Sequence, residues 1–246
     1  MLATLLVRQR VAEIMDDPHL DPGLHADALK GLERLNTIGN SKKIIAAKIE
    51  NLAKKIGAGK NVSIKVLDLA CGGGDLPAAL ASYLSARNVD VEILGLDVSE
   101  TAIEYARSKN YKNCKFSRLD VINDELPEGY DVIITSLFTH HLDPPQIRAL
   151  LAKMATKARH LVLVNDLERS LFSLWGVTLA SQIVTTSHVV HHDGPASVRA
   201  AFTAAEMLQM AHDVGLNQAS VTRQFPCRIL LTVQTDTNHR QPEAKR

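Results

Sequence analysis

Aromatic side chains are scarce in this sequence, at 4 % of residues with a single tryptophan, so rings for stacking single-stranded nucleic acid are poorly supplied. Neither sign of charge dominates: 28 lysines and arginines stand against 27 aspartates and glutamates, a formal charge of +1. No field draws in a polyanion, and nucleic acid is not expected as a partner. Cysteine is sparse too. Cys71, Cys114 and Cys227 lie far apart with no C-x-x-C pair, which argues for reduced thiols rather than a disulfide framework or a zinc site. Long apolar runs are missing: the start MLATLLV is interrupted by Arg8 and Arg10, far short of a secretory core, and nothing approaches the roughly 18 residues of a spanning helix. The expectation is a soluble cytoplasmic protein with no membrane partner.

What is present is ordinary globular composition, 46 % hydrophobic and 22 % charged over 246 residues, enough for one large α/β domain with an appendage. The first third reads as helices. Asp21 and Pro22 look like a cap followed by proline in the first turn, and Leu24, Ala28, Leu32 and Leu35 recur at helical spacing. Asn40 or Ser41 can cap a second helix with a face of Ile45, Ile49, Leu52 and Ile56, which Gly57 and Gly59 stop. Residues 1–62 are therefore expected to form a helical lid. From Ser63 the rhythm turns to alternating strand and helix: SIKVLDLA, VEILGLD, CKFSRLDV, YDVIITS and HLVLVND are continuous apolar runs of the kind buried parallel strands show. Thr203 and Glu206 form a capping box before a helix that Gly215 ends. QASVTRQ and CRILLTVQT follow across so short a connection that only an antiparallel pair is allowed. The main domain spans 63–234, and 235–246 reads as a polar tail.

DLACGGGDLP stands where the first of these strands turns into a helix, a place where glycines let a backbone approach a ligand and free N–H groups face it. Two features weigh against a dinucleotide. Pro77 stands where the third glycine of G-x-G-x-x-G would fall, and Asp68, ahead of the glycines, suits an ammonium group and repels a pyrophosphate. Ala70, Cys71, Gly72 and Gly74 complete this turn. Asp97, with Val98 beside it, closes the second strand where a carboxylate can accept ribose hydroxyls. Asp120 and Val121 follow the third, placed to receive an adenine amino group and pack its ring. Ser136 ends the fourth. Asn36, after the first lid helix, is a further candidate if that helix folds over the cofactor.

The stretch from about 64 to 234 resembles the methyltransferases that use S-adenosylmethionine (SAM) on a seven-stranded Rossmann-like fold, with DLACGGG as first motif, Asp97 as ribose acid and Asp120–Val121 at the adenine position. The resemblance implies a doubly wound, mostly parallel α/β sheet of strand order 3-2-1-4-5-7-6, with SAM at the strands' C-terminal ends. Cys71 departs from the glycine often found there. More loosely, FTHHLDPP, VNDLERS and DGPASVRAAFTAAE resemble a bacterial subgroup that includes methyltransferases encoded beside polyketide synthases, which implies a phenolic acceptor.

A hydroxyl acceptor must lose its proton, and histidine is the natural base for a phenol. His140 and His141 follow the fourth strand, and His191 and His192 lie in a segment suited to cover an acceptor. The candidate bases are His140, His141 and His192. No metal is expected from these four, because adjacent histidines lack i, i+4 geometry. Glu168 and Arg169 read as a local ion pair or pocket groups. Phe172, Leu174, Trp175, Val177, Leu179 and Ile183 can line an acceptor pocket, a homodimer surface or the core. The reading is methylation of a small hydroxyl compound. Carbon or nitrogen methylation, a non-catalytic nucleotide-binding module and an NAD-dependent oxidoreductase are the alternatives.

Overall fold

The computed structural model describes residues 3–17, 19–38, 40–57 and 63–235, and of residues 3, 4, 16 and 36–38 the backbone alone. Nine helices and seven strands are described: α1 (Ala3–Leu6), α2 (Pro22–Ile38), α3 (Ser41–Lys55), β1 (Ile64–Leu69), α4 (Asp75–Ser85), β2 (Val91–Asp97), α5 (Glu100–Ser108), β3 (Cys114–Arg118), β4 (Tyr130–Ser136), α6 (Pro144–Lys157), β5 (Ala158–Leu167), α7 (Leu171–Val184), α8 (His188–Ala200), α9 (Ala204–Asp213), β6 (Ser220–Gln224) and β7 (Arg228–Gln234). The strands make one sheet of order β3-β2-β1-β4-β5-β7-β6. It is parallel except at β7, which runs antiparallel to both β5 and β6. The order implied by the resemblance is the order found.

Local chemistry sets the helix ends. The Ser99 hydroxyl accepts from the Ala102 N–H at 3.3 Å and starts α5. Thr203 and Glu206 exchange their side chains with each other's backbone N–H groups and start α9, each such cap holding about 1 kcal/mol. Helices cover both faces of the sheet. Ile147, Leu150 and Met154 of α6 pack with Met207 and Met210 of α9 on one face. On the other, Ile45, Ile49 and Leu52 of α3 pack with Leu80 and Leu84 of α4 against β1, β4 and β5.

The sequence placed the first two long helices together in a lid; the structure separates them. Ile45 and Ile49 are fully buried, so α3 belongs to the layer on the sheet. Truncating either to alanine is expected to cost about 2–5 kcal/mol. Only α2 reaches over the strands' C-terminal edge. An amphipathic face tells that a helix is buried, not against what, which is why the two read alike. The first third is also less helical than expected. Between α1 and a single turn at Ile14–Asp16 the chain is an extended strap. The Gln9 N–H donates to the Arg199 carbonyl, and the Ile14 and Met15 N–H groups donate to Asp193. Gly59 and the polar tail from 236 on lie outside the described residues. Among the described residues no helix is long and apolar enough to cross a membrane.

Candidate active site

The turn after β1 opens on a cavity at the strands' C-terminal edge. Asp68, Ala70, Cys71 and Gly72 line it from β1 and the glycine turn, Ser136 and Leu137 from the end of β4, Tyr105 from α5, and Leu29 and Leu32 from α2. Asp68 is 1 % exposed, and its Oδ1 has no hydrogen-bond partner. Burial first, then Asp75 and Asp97, push its carboxyl well above the usual carboxylate range. A carboxylate so buried is costly until a cation meets it. An ammonium or sulfonium fits that demand; a pyrophosphate does not.

The turn itself is strained in the cavity's favour. Gly72 has φ +53, and nothing lies within 4 Å of where a Cβ would stand, so its bare backbone faces open space. Ala70 and Leu137 hold φ of 56° each, a left-handed conformation that costs a side-chain-bearing residue about 1–2 kcal/mol. Gly74 serves the fold instead: it turns at φ +77, and a Cβ there would come within 2.6 Å of the Phe116 ring. Cys71 is buried, and burial and the nearby acids raise its thiol far above the usual range, so it stays protonated and acts as a small apolar wall.

Asp97 has a structural duty that the sequence did not disclose. Its Oδ2 accepts from the Gly72 N–H at 2.8 Å and its Oδ1 from the Ser99 N–H at 2.9 Å, so it ties the end of β2 to the glycine turn. Val98 beside it is 57 % exposed. Both residues expected at the adenine position are engaged with the protein itself. The Val121 side chain is buried in the cluster that holds Leu96, Leu126 and Ile147. Asp120 is engaged locally, accepting from the Ile122 and Asn123 N–H groups and from the Asn123 side chain; that last bond leads in holding its carboxyl below the usual range. Asn36 does not follow a helix but lies within α2, which runs on to Ile38; its side chain is outside the described residues. Beyond the end of α2, Asn40 takes a left-handed conformation, with φ 57°.

The second part of the site begins one turn beyond Leu137. His140 is 3 % exposed and Asp166, near the end of β5, is 1 % exposed. Their Nδ1 and Oδ1 lie 2.7 Å apart. Asp166 also accepts from the Thr139 hydroxyl at 2.5 Å, from the His140 N–H at 3.1 Å and from the Leu167 N–H at 2.7 Å. Burial alone would raise this carboxyl, but the facing His140 and these donors hold it down to about 2. An ionised carboxylate only accepts, so the His140 Nδ1 donates and the Nε2 carries the lone pair in the neutral ring.

That Nε2 lies 3.7 Å from Oε1 of Glu13, and the His141 Nε2 lies 3.8 Å from Glu13 Oε2. The strap delivers Glu13 here. Arg8 donates to the His140 and Leu142 carbonyls at 2.7 and 2.8 Å, Arg10 pairs with Asp143 at 2.7 Å, and Ser197 donates to Glu13 Oε1 at 2.5 Å. Glu13, His140 and His141 then line an open groove beside Asp143 and Ala200. The segment from Ser136 to His141 thus borders both the cofactor cavity and this groove.

The other histidine pair is not brought to this cluster. His191 hydrogen-bonds the Thr185 carbonyl through Nε2 at 2.7 Å, and His192, 47 % exposed at its side chain, pairs with Asp193. Glu168 and Arg169 do not pair with each other: Glu168 binds Arg223 and Arg169 binds Glu206. Asp166, Tyr105 and Glu13 are the residues sequence reasoning missed. For Asp166 a signal existed, an acid closing the strand beside the one whose end carries the histidines. Glu13 gave none.

Residues 66–160 match a family described as a methyltransferase domain. The sheet order and the cation-seeking cavity at the strand ends agree with that match and with the resemblance to methyltransferases of the SAM-dependent class. A ubiquinone biosynthesis O-methyltransferase of Thiobacillus denitrificans is 29 % identical over 165 residues, 64 % of this chain and 66 % of that protein. A malonyl-[acyl-carrier protein] O-methyltransferase of Acetivibrio thermocellus is 35 % identical over 74 residues, 30 % of this chain and 25 % of the other. The matched stretch thus spans just under two thirds of the first relative's length. Among solved structures, the plantazolicin methyltransferase BpumL, in complex with a triazolic desmethyl analogue and SAH, superimposes with a TM-score of 0.64 at 16 % identity over 85 % of this chain and 90 % of that one. The magnesium protoporphyrin IX methyltransferase of Synechocystis PCC 6803 gives 0.54 at 19 % identity over 90 % of each. At such identities these two likenesses speak to the fold.

Proposed function

We propose that the protein is a SAM-dependent O-methyltransferase acting on a small molecule, a phenol or comparable hydroxyl, with His140 as the general base. The observation that carries the reading is the buried Asp166–His140 pair beside the groove that adjoins the cofactor cavity, the ring directed by a carboxylate that itself takes part in four hydrogen bonds. Bound SAM supplies an electrophilic methyl group on a sulfonium. The residues of this chain do the rest. Asp68 meets the ammonium group, and Asp97 offers its remaining lone pairs to the ribose. The strap and α2 wall off the two cavities. For a phenol of pKa about 10 and a histidine near 6.5, complete transfer of the proton before methylation would cost about 5 kcal/mol. Transfer to the His140 Nε2 as the new O–C bond forms avoids most of that cost, and Asp166 stabilises the imidazolium that results. A positioned base of this kind contributes about 10²–10⁴-fold.

The curated relatives named above carry O-methyltransferase names, which agrees with a hydroxyl acceptor. The test is a panel of phenols, alcohols and amines assayed with SAM, followed by His140→Ala on the best acceptor. A fall in turnover of about 10² or more, with SAH affinity unchanged and partial rescue by a phenol bearing an electron-withdrawing group, is expected. Retention of turnover within about threefold removes His140 as the base. One observation favours a second reading. The ligating atoms of Glu13, His140 and His141 lie within 4.8 Å of one another, close enough to share one divalent cation, which would acidify the hydroxyl in place of a base. Activity abolished by a chelator and restored by zinc or manganese would select it.

A further inference from the structure

Among the described helices longer than four residues, only the one after β5 lacks charge. No residue of α7, LFSLWGVTLASQIV, carries a charge. Its inner face is settled: Ser173, Leu174 and Ser181 are buried, and Leu174 and Val177 pack with Leu167, Val198 and Ala201. Its outer face is equally apolar and uncovered. Phe172, Trp175, Leu179 and Ile183 are 62, 66, 63 and 75 % exposed, and their spacing sets them along one stripe about 16 Å long. Phe225, 80 % exposed in the turn between β6 and β7, extends the stripe with its ring centroid 6.3 Å from that of Phe172.

We propose that this stripe is the centre of a twofold homodimer interface, with α7 packed antiparallel against α7 of a second copy. Together the five side chains leave on the order of 600 Å² of apolar surface in water, at the upper end of the largest patch a monomer usually shows. It is also most of the roughly 800 Å² that each partner buries in a standard interface. Absence of charge is the mark of an interface core, and it separates the candidate occupants. A helix that lies on a lipid surface needs lysine or arginine on its polar face, and α7 has none. A partner recognised by charge would find nothing here to read. A second copy needs only self-complementarity. A stripe centred between Trp175 and Leu179 supplies it, because turning it end for end places Phe172 of one copy near Ile183 of the other.

Analytical ultracentrifugation of the full chain at tens of micromolar is the test. Wild type should sediment at twice the chain mass of 26.9 kDa, and Trp175→Glu at half of that value with an unchanged circular dichroism spectrum. Should Trp175→Glu fail to fold, Leu179→Gln replaces it. Because the twofold axis passes near Leu179, Leu179→Cys should form a disulfide-linked dimer under mild oxidation that the parent chain does not form. A monomeric wild type, a dimer that survives both substitutions, or a monomer that co-sediments with phosphatidylcholine vesicles would overturn the proposal.

Discussion

Two buried aspartates near the ends of two strands of the same sheet have opposite electrostatic fates. Asp68 in β1 and Asp166 in β5 are each 1 % exposed. Asp166 faces a histidine and three further donors and is held down to about 2. Asp68 faces two other acids, leaves Oδ1 without a partner and is pushed well up. Burial is common to both, so burial does not decide their roles; the donor set does. A carboxylate that the fold has satisfied can orient a base. One that the fold has left wanting is a receptor for a cation brought from outside.

The largest expected effect comes from breaking the satisfied partner. Asp166→Asn removes the charge that fixes the His140 tautomer and stabilises its protonated ring. Turnover is expected to fall by about 10³–10⁴, as for the equivalent loss in a Ser-His-Asp triad, with folding stability at pH 7 lower by about 3–5 kcal/mol. The sign with pH is fixed. Asp166 is depressed in the folded state, so its contribution is present above the unfolded value near 3.8 and is lost as pH falls through about 2. Urea titrations of wild type and variant between pH 6 and 2 should therefore converge at the acid end, and a constant gap would contradict this account of Asp166.

Asp68→Asn should move stability the other way. With its carboxyl raised, the ionised side chain costs the ligand-free protein stability once pH exceeds about 4. The amide should raise the ligand-free melting temperature by a few degrees while weakening SAM and SAH by about 10–100-fold, the worth of one charge-assisted hydrogen bond. Thermal melts with and without SAH read both numbers, and a variant less stable than wild type without ligand would show that Asp68 is satisfied in the native protein.

The smallest effect concerns the strained turn beside Asp68. Ala70→Gly should stabilise the ligand-free protein by about 1 kcal/mol, since glycine adopts φ 56° without a Cβ penalty. No gain in melting temperature would mean the turn is relaxed.

The sheet was legible in the sequence because buried parallel strands are continuous apolar runs, and VEILGLD and YDVIITS coincide with β2 and β4. The glycine turn and Asp68 were legible because strand, acid and glycines are adjacent in the chain. His140 and His141 were legible as candidates, but nothing local separated them from His191 and His192. What separates them is Asp166, contributed by a neighbouring strand, and Glu13, contributed by a strap whose anchors on Asp193 and Arg199 lie far along the chain. Val121 was ambiguous for the same reason: its residue type suits both a ring and a core, and only the fold shows that it joins the cluster with Leu126 and Ile147. The apolar residues of α7 were visible, yet only the packed helix tells which of them face outward.

The division of labour between the two aspartates is tested most directly by titrating SAH calorimetrically into wild type, Asp68→Asn and Asp166→Asn. Binding of comparable affinity to wild type and Asp166→Asn, with Asp68→Asn at least about tenfold weaker, is the expected result. Equal affinity in all three, or no binding to wild type, would contradict it.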